Sequence, residues 1–141
     1  MNRKYDLDYF YKKVLEIRNI RPNISITTDI IVGFPEETNE MFESTYEFSN
    51  KIKFSKIHVF PYSKRDGTVS SRMKEVNSEE KTNRVHKLLE LSNILEKEYN
   101  DMFKNTEVEV LIEEVKDNKS VGHTSNYLKV EVNEILEKNK L

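Results

Sequence analysis

The stretch ITTDIIVGFPEET at residues 26–38 constrains this chain more than any other. β-Branched and apolar residues favour an extended, buried strand, and the run stops at Gly33-Phe34-Pro35. Proline lacks an N–H and glycine tolerates positive φ, so neither continues a regular strand. The corner therefore predicts the C-terminal end of a strand, the place where α/β proteins bind ligands.

Patterning on either side predicts an α/β unit. Residues 7–20 carry Leu7, Phe10, Val14 and Ile17 at helical spacing, with Asp6 as N-cap and Arg21-Pro22 as the stop. A strand over 24–32 follows. A helix capped by Thr38 then runs through NEMFESTYEFSNKI, and KIHVF at 56–60 reads as a second strand. The connection is long enough for a parallel crossover, and the two strands are expected to be adjacent and parallel, with Gly33 and Pro61 at the same end. A long helix spans roughly 78–103, with Asn77 or Ser78 as cap and Glu79 and Glu80 at its positive end. The pattern then changes to period two in EVEVLIEE and YLKVEV around a KDN turn, which predicts a small antiparallel unit. The expected divisions are 1–76, 77–104 and 105–141.

Composition removes several classes of function. With 34% charged and 36% hydrophobic residues, and only three glycines and three prolines, the chain is neither collagenous nor low-complexity. No run is long and apolar enough to span a bilayer, so a cytoplasmic protein is expected. The net charge of −2 gives no overall bias toward nucleic acid, although a local patch is compatible with it. There is no cysteine, which excludes disulfides, thiolate zinc and any cysteine-held iron–sulfur cluster within this chain. His58, His86 and His123 are scattered without metal-ligand spacing, so no metal site is expected.

If the two strands are parallel, GFPEET and PYSKRDGT leave the same end of the sheet and form a cleft. The same residues also read as ordinary turns, with glycine and proline as punctuation and Arg65 solvated. Asp29, an acid within an apolar strand, is either paired in the core or aimed at a ligand.

MNRKY at 1–5, TTDIIVGFPEET, KIHVFPYSKRDGT and VGHTSNYLKVEV occur here in the order and spacing found in the radical S-adenosylmethionine methylthiotransferases. The chain resembles that family over almost its whole length. The HVFPYSKR form is most similar to the branch acting on threonylcarbamoyl-adenosine beside the tRNA anticodon. The resemblance implies the C-terminal portion of a TIM-type barrel followed by a partial TRAM domain, a small OB-like β unit. It implies an S-adenosylmethionine cleft lined by Asp29, Gly33, Phe34, Pro35, Glu37, Phe60, Tyr62 and Arg65. Arg65 belongs to an S-x-R-x-G-T motif formed with Ser63, Gly67 and Thr68, and is expected to contact cofactor or substrate phosphate. His123, Asn126, Tyr127 and Lys129, in and beside a G-H-T-x-N-Y signature, are the implied RNA contacts, and the same turn also reads as a structural hairpin corner.

Departures from the family pattern limit what is expected. Glu36 replaces the second glycine of the corner, and the cluster motif C-x-x-x-C-x-x-C is absent. The [4Fe–4S] clusters of the family would belong to a missing N-terminal part, itself an expected partner alongside tRNA. No catalytic residue is expected in this segment, and its cut sheet edges favour self-association. The expected function is thus a C-terminal segment of a tRNA methylthiotransferase, inactive without the cluster-bearing half. The alternatives are a non-catalytic truncated RNA- or protein-binding module and an unrelated small α/β interaction protein.

Overall fold

The computed structural model describes Lys4 and residues 6–139, so the MNRKY motif lies outside the described residues except for Lys4. The element order is α1 (Leu7–Ile20), β1 (Thr27–Val32), α2 (Asn39–Ile52), β2 (Lys56–Pro61), a short 3-10 helix (Val69–Arg72), α3 (Ser78–Asp101), β3 (Leu111–Lys116), β4 (Lys119–His123) and β5 (Lys129–Val132). All three expected N-caps are in place. Asp6 accepts from the Tyr9 N–H, Thr38 from Met41 and Asn77 from Glu79. At the other end of α2, Lys53 takes a left-handed conformation with φ 56°. Arg18 of α1 donates to the carbonyls of Ile52 and Lys53, satisfying groups that the helix itself leaves unpaired.

β1 and β2 pair in parallel from Thr27↔Lys56 to Val32↔Pro61, which puts Gly33 and Pro61 at the same end of the sheet as expected. One face of this pair packs into a core of Val14, Val32, Phe42, Ile52, Phe54, Ile57, Leu88, Leu91 and Leu95. α3 crosses β2, and its buried Ser92 accepts from the Ile57 N–H and donates to the Ile57 carbonyl, both at 3.0 Å. One hydroxyl thereby satisfies both outward-facing backbone groups of Ile57 on the free edge of β2. The opposite face of the pair is open: Thr27, Asp29 and Ile31 on β1, and Lys56, His58 and Phe60 on β2, are all exposed.

The second sheet is antiparallel in the order β3-β4-β5. Its first hairpin turns through Asp117 and Asn118, both at positive φ (52° and 60°), the conformation that right-twisted two-residue hairpins require. Gly122 has no room for a side chain, because a Cβ there would run into the Leu111 carbonyl oxygen. Ser120 is fully buried and ties the C-terminal stretch across the sheet, donating to the Glu134 carbonyl and accepting from the Leu136 N–H.

Several boundaries differ from expectation. β1 begins at Thr27 rather than residue 24, because its ladder partner β2 begins only at Lys56. β3 begins at Leu111 rather than residue 107, since β4 is only five residues long and leaves 107–110 unpaired. β5 begins at Lys129 rather than residue 127, because Tyr127 sits in a turn with φ 65°. α3 stops at Asp101, and residues 102–106 continue as i→i+3 turns. The parallel sheet has two strands among the described residues, and the molecule is mixed α/β with a separate antiparallel sheet. No helix of the described residues is long and apolar enough to cross a membrane.

Candidate functional site

The two loops leaving the parallel strands meet. Phe34 and Tyr62 pack edge to face with ring centroids 5.4 Å apart, and the Tyr62 N–H donates to the Val32 carbonyl at 2.8 Å. The Tyr62 hydroxyl donates to Ser70, and the Glu36 N–H donates to the Lys74 carbonyl. These bonds draw the segment after Tyr62 back over the strand ends. Thr68 reinforces it by bonding the Arg65 carbonyl through its hydroxyl at 2.7 Å.

On either side of Phe34 lies a cavity. The larger, about 650 Å³, is lined by Asp29, Phe34, Phe60, Tyr62 and Arg65 with their neighbours. The smaller, about 440 Å³, shares Asp29, Ile31 and Phe34 and adds Pro35, Glu37 and Met41. Seven of the eight expected cleft residues line one or the other of these two cavities, which share Asp29, Ile31 and Phe34; Gly33 is buried. Asp29 and His58 are register partners on the open face, as are Ile31 and Phe60, so the floor is polar at one end and apolar at the other. Arg65 is exposed, and its guanidinium makes no ion pair among the described residues. It is available to an anion.

Glu37 lines the smaller cavity, but its carboxylate is bonded within the protein. Its carboxylate accepts from the Gly33 N–H at 3.1 Å and lies 2.7 Å from the buried Arg84 of α3. Arg84 also donates to the Glu37 carbonyl, to Asn39 Oδ1 and to Glu80. Its side chain is only 5% exposed. Nothing in the local pattern of α3 marks Arg84: it looks like one more charge on a charged helix. The available signal was its place one turn before Leu88 on the buried stripe.

In the antiparallel part, the four expected RNA contacts divide. His123 Nδ1 is 2.8 Å from the Glu113 carboxylate. Asn126 is committed inside the chain, donating to the Asn23 carbonyl at 3.1 Å and accepting from the Thr124 hydroxyl. Tyr127, at 81% exposure, and Lys129 project to solvent. The Tyr99 hydroxyl lies within hydrogen-bond distance of the carbonyls of Asn23 and Asn126, linking the two parts of the chain. Burial holds its pKa above the usual phenol value, outweighing the hydrogen bonds that lower it. Beside this junction a cleft of about 760 Å³ opens between residues 20–25, the end of α3 and the 124–127 turn.

The fold thus presents a parallel strand–helix–strand unit with a cleft at its strand ends and an appended antiparallel sheet. The chain belongs to the tRNA methylthiotransferase family. It is 43% identical over 92% of its length to the threonylcarbamoyladenosine tRNA methylthiotransferase MtaB of Bacillus subtilis (strain 168). It is 45% identical over 82% of its length to the tRNA-2-methylthio-N(6)-dimethylallyladenosine synthase of Acetivibrio thermocellus, and 42% identical over 88% to that of Bacillus thuringiensis (strain Al Hakam). The chain spans 30%, 24% and 25% of the lengths of these three relatives. No family model matches it.

Proposed function

We propose that this chain acts as the C-terminal segment of a cytoplasmic tRNA methylthiotransferase, supplying one wall of an S-adenosylmethionine cleft and part of an RNA-contacting surface. One observation carries the reading: the loops after two parallel strands converge through Phe34 and Tyr62 on a depression lined by Asp29, Phe60 and Arg65. Ligands of open α/β sheets bind at such strand ends.

The residues suit a nucleoside sulfonium. Phe34, Phe60 and Tyr62 offer apolar and aromatic surface to an adenine ring, while Asp29 offers acceptors to ribose hydroxyls or the amino group of the methionine part. Arg65 offers a fork for a carboxylate or phosphate. When bound, S-adenosylmethionine supplies an activated sulfonium; these side chains bind and orient it. An iron–sulfur cluster does not fit this chain, which has no cysteine, and no group of three His, Asp or Glu converges among the described residues. Turnover therefore requires the cluster-bearing part of the longer enzyme, whose remaining strands would also cover the open face of β1 and β2.

Tyr127 supports the RNA role. A largely exposed aromatic ring held at a left-handed turn is a stacking platform for an unpaired base, with Lys129 nearby for phosphate. The 43% identity to MtaB over 92% of the chain supports threonylcarbamoyl-adenosine beside the anticodon as the substrate in this reading.

The test is calorimetric titration of the chain with S-adenosylmethionine, and fluorescence anisotropy with an anticodon stem-loop. Saturable binding of both ligands, weakened by Arg65→Ala for the first and Tyr127→Ala for the second, is expected. Binding of the RNA alone would leave a non-catalytic binding module as the correct reading.

A further inference from the structure

The first two turns of α3 touch both cleft loops at once. Arg84 grips the first loop through the Glu37 carboxylate at 2.7 Å and the Glu37 carbonyl at 3.0 Å, and Glu37 in turn holds the Gly33 N–H. Lys81, three residues earlier and on the same side of the helix, reaches both loops. Its methylenes lie against Gly33, where a Cβ would fall 2.5 Å from Lys81 Cγ, and its ammonium donates to the Tyr62 carbonyl at 3.3 Å. That ammonium also stands 5.7 Å from the Tyr62 ring centroid.

We propose that Arg84 and Lys81 are positioning residues that set the gap between Phe34 and Tyr62, and so the shape of the cleft between them. Gly33 has φ +72°, which glycine reaches as readily as a negative φ, so a single corner geometry calls for a hold from outside the residue. Glu37 is the lever that provides it. A buried ion pair adds little net stability, because desolvation of both charges offsets their attraction. What such a pair contributes is orientation, and Arg84 contributes it to a corner distant in sequence. Its Nε is buried without a partner, so the guanidinium is not arranged to satisfy itself fully; two of its nitrogens serve the loop and the start of α2 instead. The consequence for ligand binding rests on the nucleoside reading above, whereas the brace itself does not.

The experiment measures the two separately on the 141-residue chain. Amide hydrogen exchange is followed by NMR at Gly33 and, as reference, at Ile57, whose N–H is held by Ser92. Arg84→Met should speed exchange at Gly33 by about tenfold over any change at Ile57, and should weaken the Phe34–Tyr62 ring NOE. Arg84→Lys, which keeps the charge but not the fork, should restore part of the protection. S-adenosylmethionine titration should show about a tenfold loss of affinity for Arg84→Met and none for Lys87→Ala, an exposed control on the same helix. Equal acceleration at Gly33 and Ile57, or an unchanged Gly33 and ring NOE, would overturn the brace. Failure of the unmodified chain to bind S-adenosylmethionine would sink the nucleoside reading while exchange still decides the brace. Loss of Gly33 protection with ligand affinity unchanged would overturn the positioning role.

Discussion

Phe34 and Tyr62 meet edge to face, their ring planes at 75° and their centroids 5.4 Å apart, and so join the loops that follow β1 and β2. Such a pair contributes about 0.5–1.5 kcal/mol beyond the area it buries. Phe34→Ala should lower stability by roughly that amount plus a fraction of the buried area of a half-exposed ring. It should also weaken S-adenosylmethionine binding by about tenfold or more, because the ring walls both cavities. Urea unfolding and calorimetric titration measure the two effects. Reduced stability with full affinity would confine the pair to joining the loops.

Arg65→Ala should behave in the opposite way. The guanidinium is exposed and unpaired among the described residues, so its loss should change stability by less than about 0.5 kcal/mol. A charge-assisted contact to a ligand anion is worth about 1.5–3 kcal/mol, so affinity should fall by one to two decades. A melt that shifts more than the binding isotherm would return Arg65 to a structural part in its loop.

Ser92→Ala removes the hydroxyl that serves both backbone groups of Ile57 at a buried position. Two lost hydrogen bonds and an unsatisfied N–H and carbonyl should cost about 2–4 kcal/mol. Chemical denaturation of the variant reads this directly. A cost under about 0.5 kcal/mol would mean that water replaces the serine.

Tyr99→Phe tests the link between the α/β part and the antiparallel sheet. The phenol meets the carbonyls of Asn23 and Asn126, and losing it should cost about 1 kcal/mol near neutral pH. Its pKa is raised above 10.0 in the fold, first by burial, so the neutral form is favoured there. The contribution is therefore complete below pH about 10 and disappears as pH rises through the folded value. The stability difference between wild type and Tyr99→Phe should narrow above pH 10 in denaturation series. A constant difference across that range would show that the hydroxyl does not hold the junction.

Local chemistry was legible in the sequence. Asp6, Thr38 and Asn77 cap their helices because a short oxygen-bearing side chain reaches the N–H two or three residues on, whatever surrounds it. The Gly33-Phe34-Pro35 corner ends β1 for the equally local reason that neither glycine nor proline extends a strand, and the crossover length made β1 and β2 parallel neighbours. Strand lengths were not legible, since a strand lasts only as long as its partner: Glu107 to Val110 alternate as β residues do, yet β4 is too short to pair them. The direction of Glu37 was decided by tertiary structure as well. From its neighbours it could cap a helix or face a ligand; Arg84, 47 residues away in the chain, turns it inward. The same holds for Asn126, whose amide is taken by Asn23, 103 residues earlier in the chain. Caps and corners are settled within a few residues by backbone sterics and short-range hydrogen bonds. A buried charge takes its partner from whatever the packed helices and sheets bring beside it, and that is known only once the core has formed.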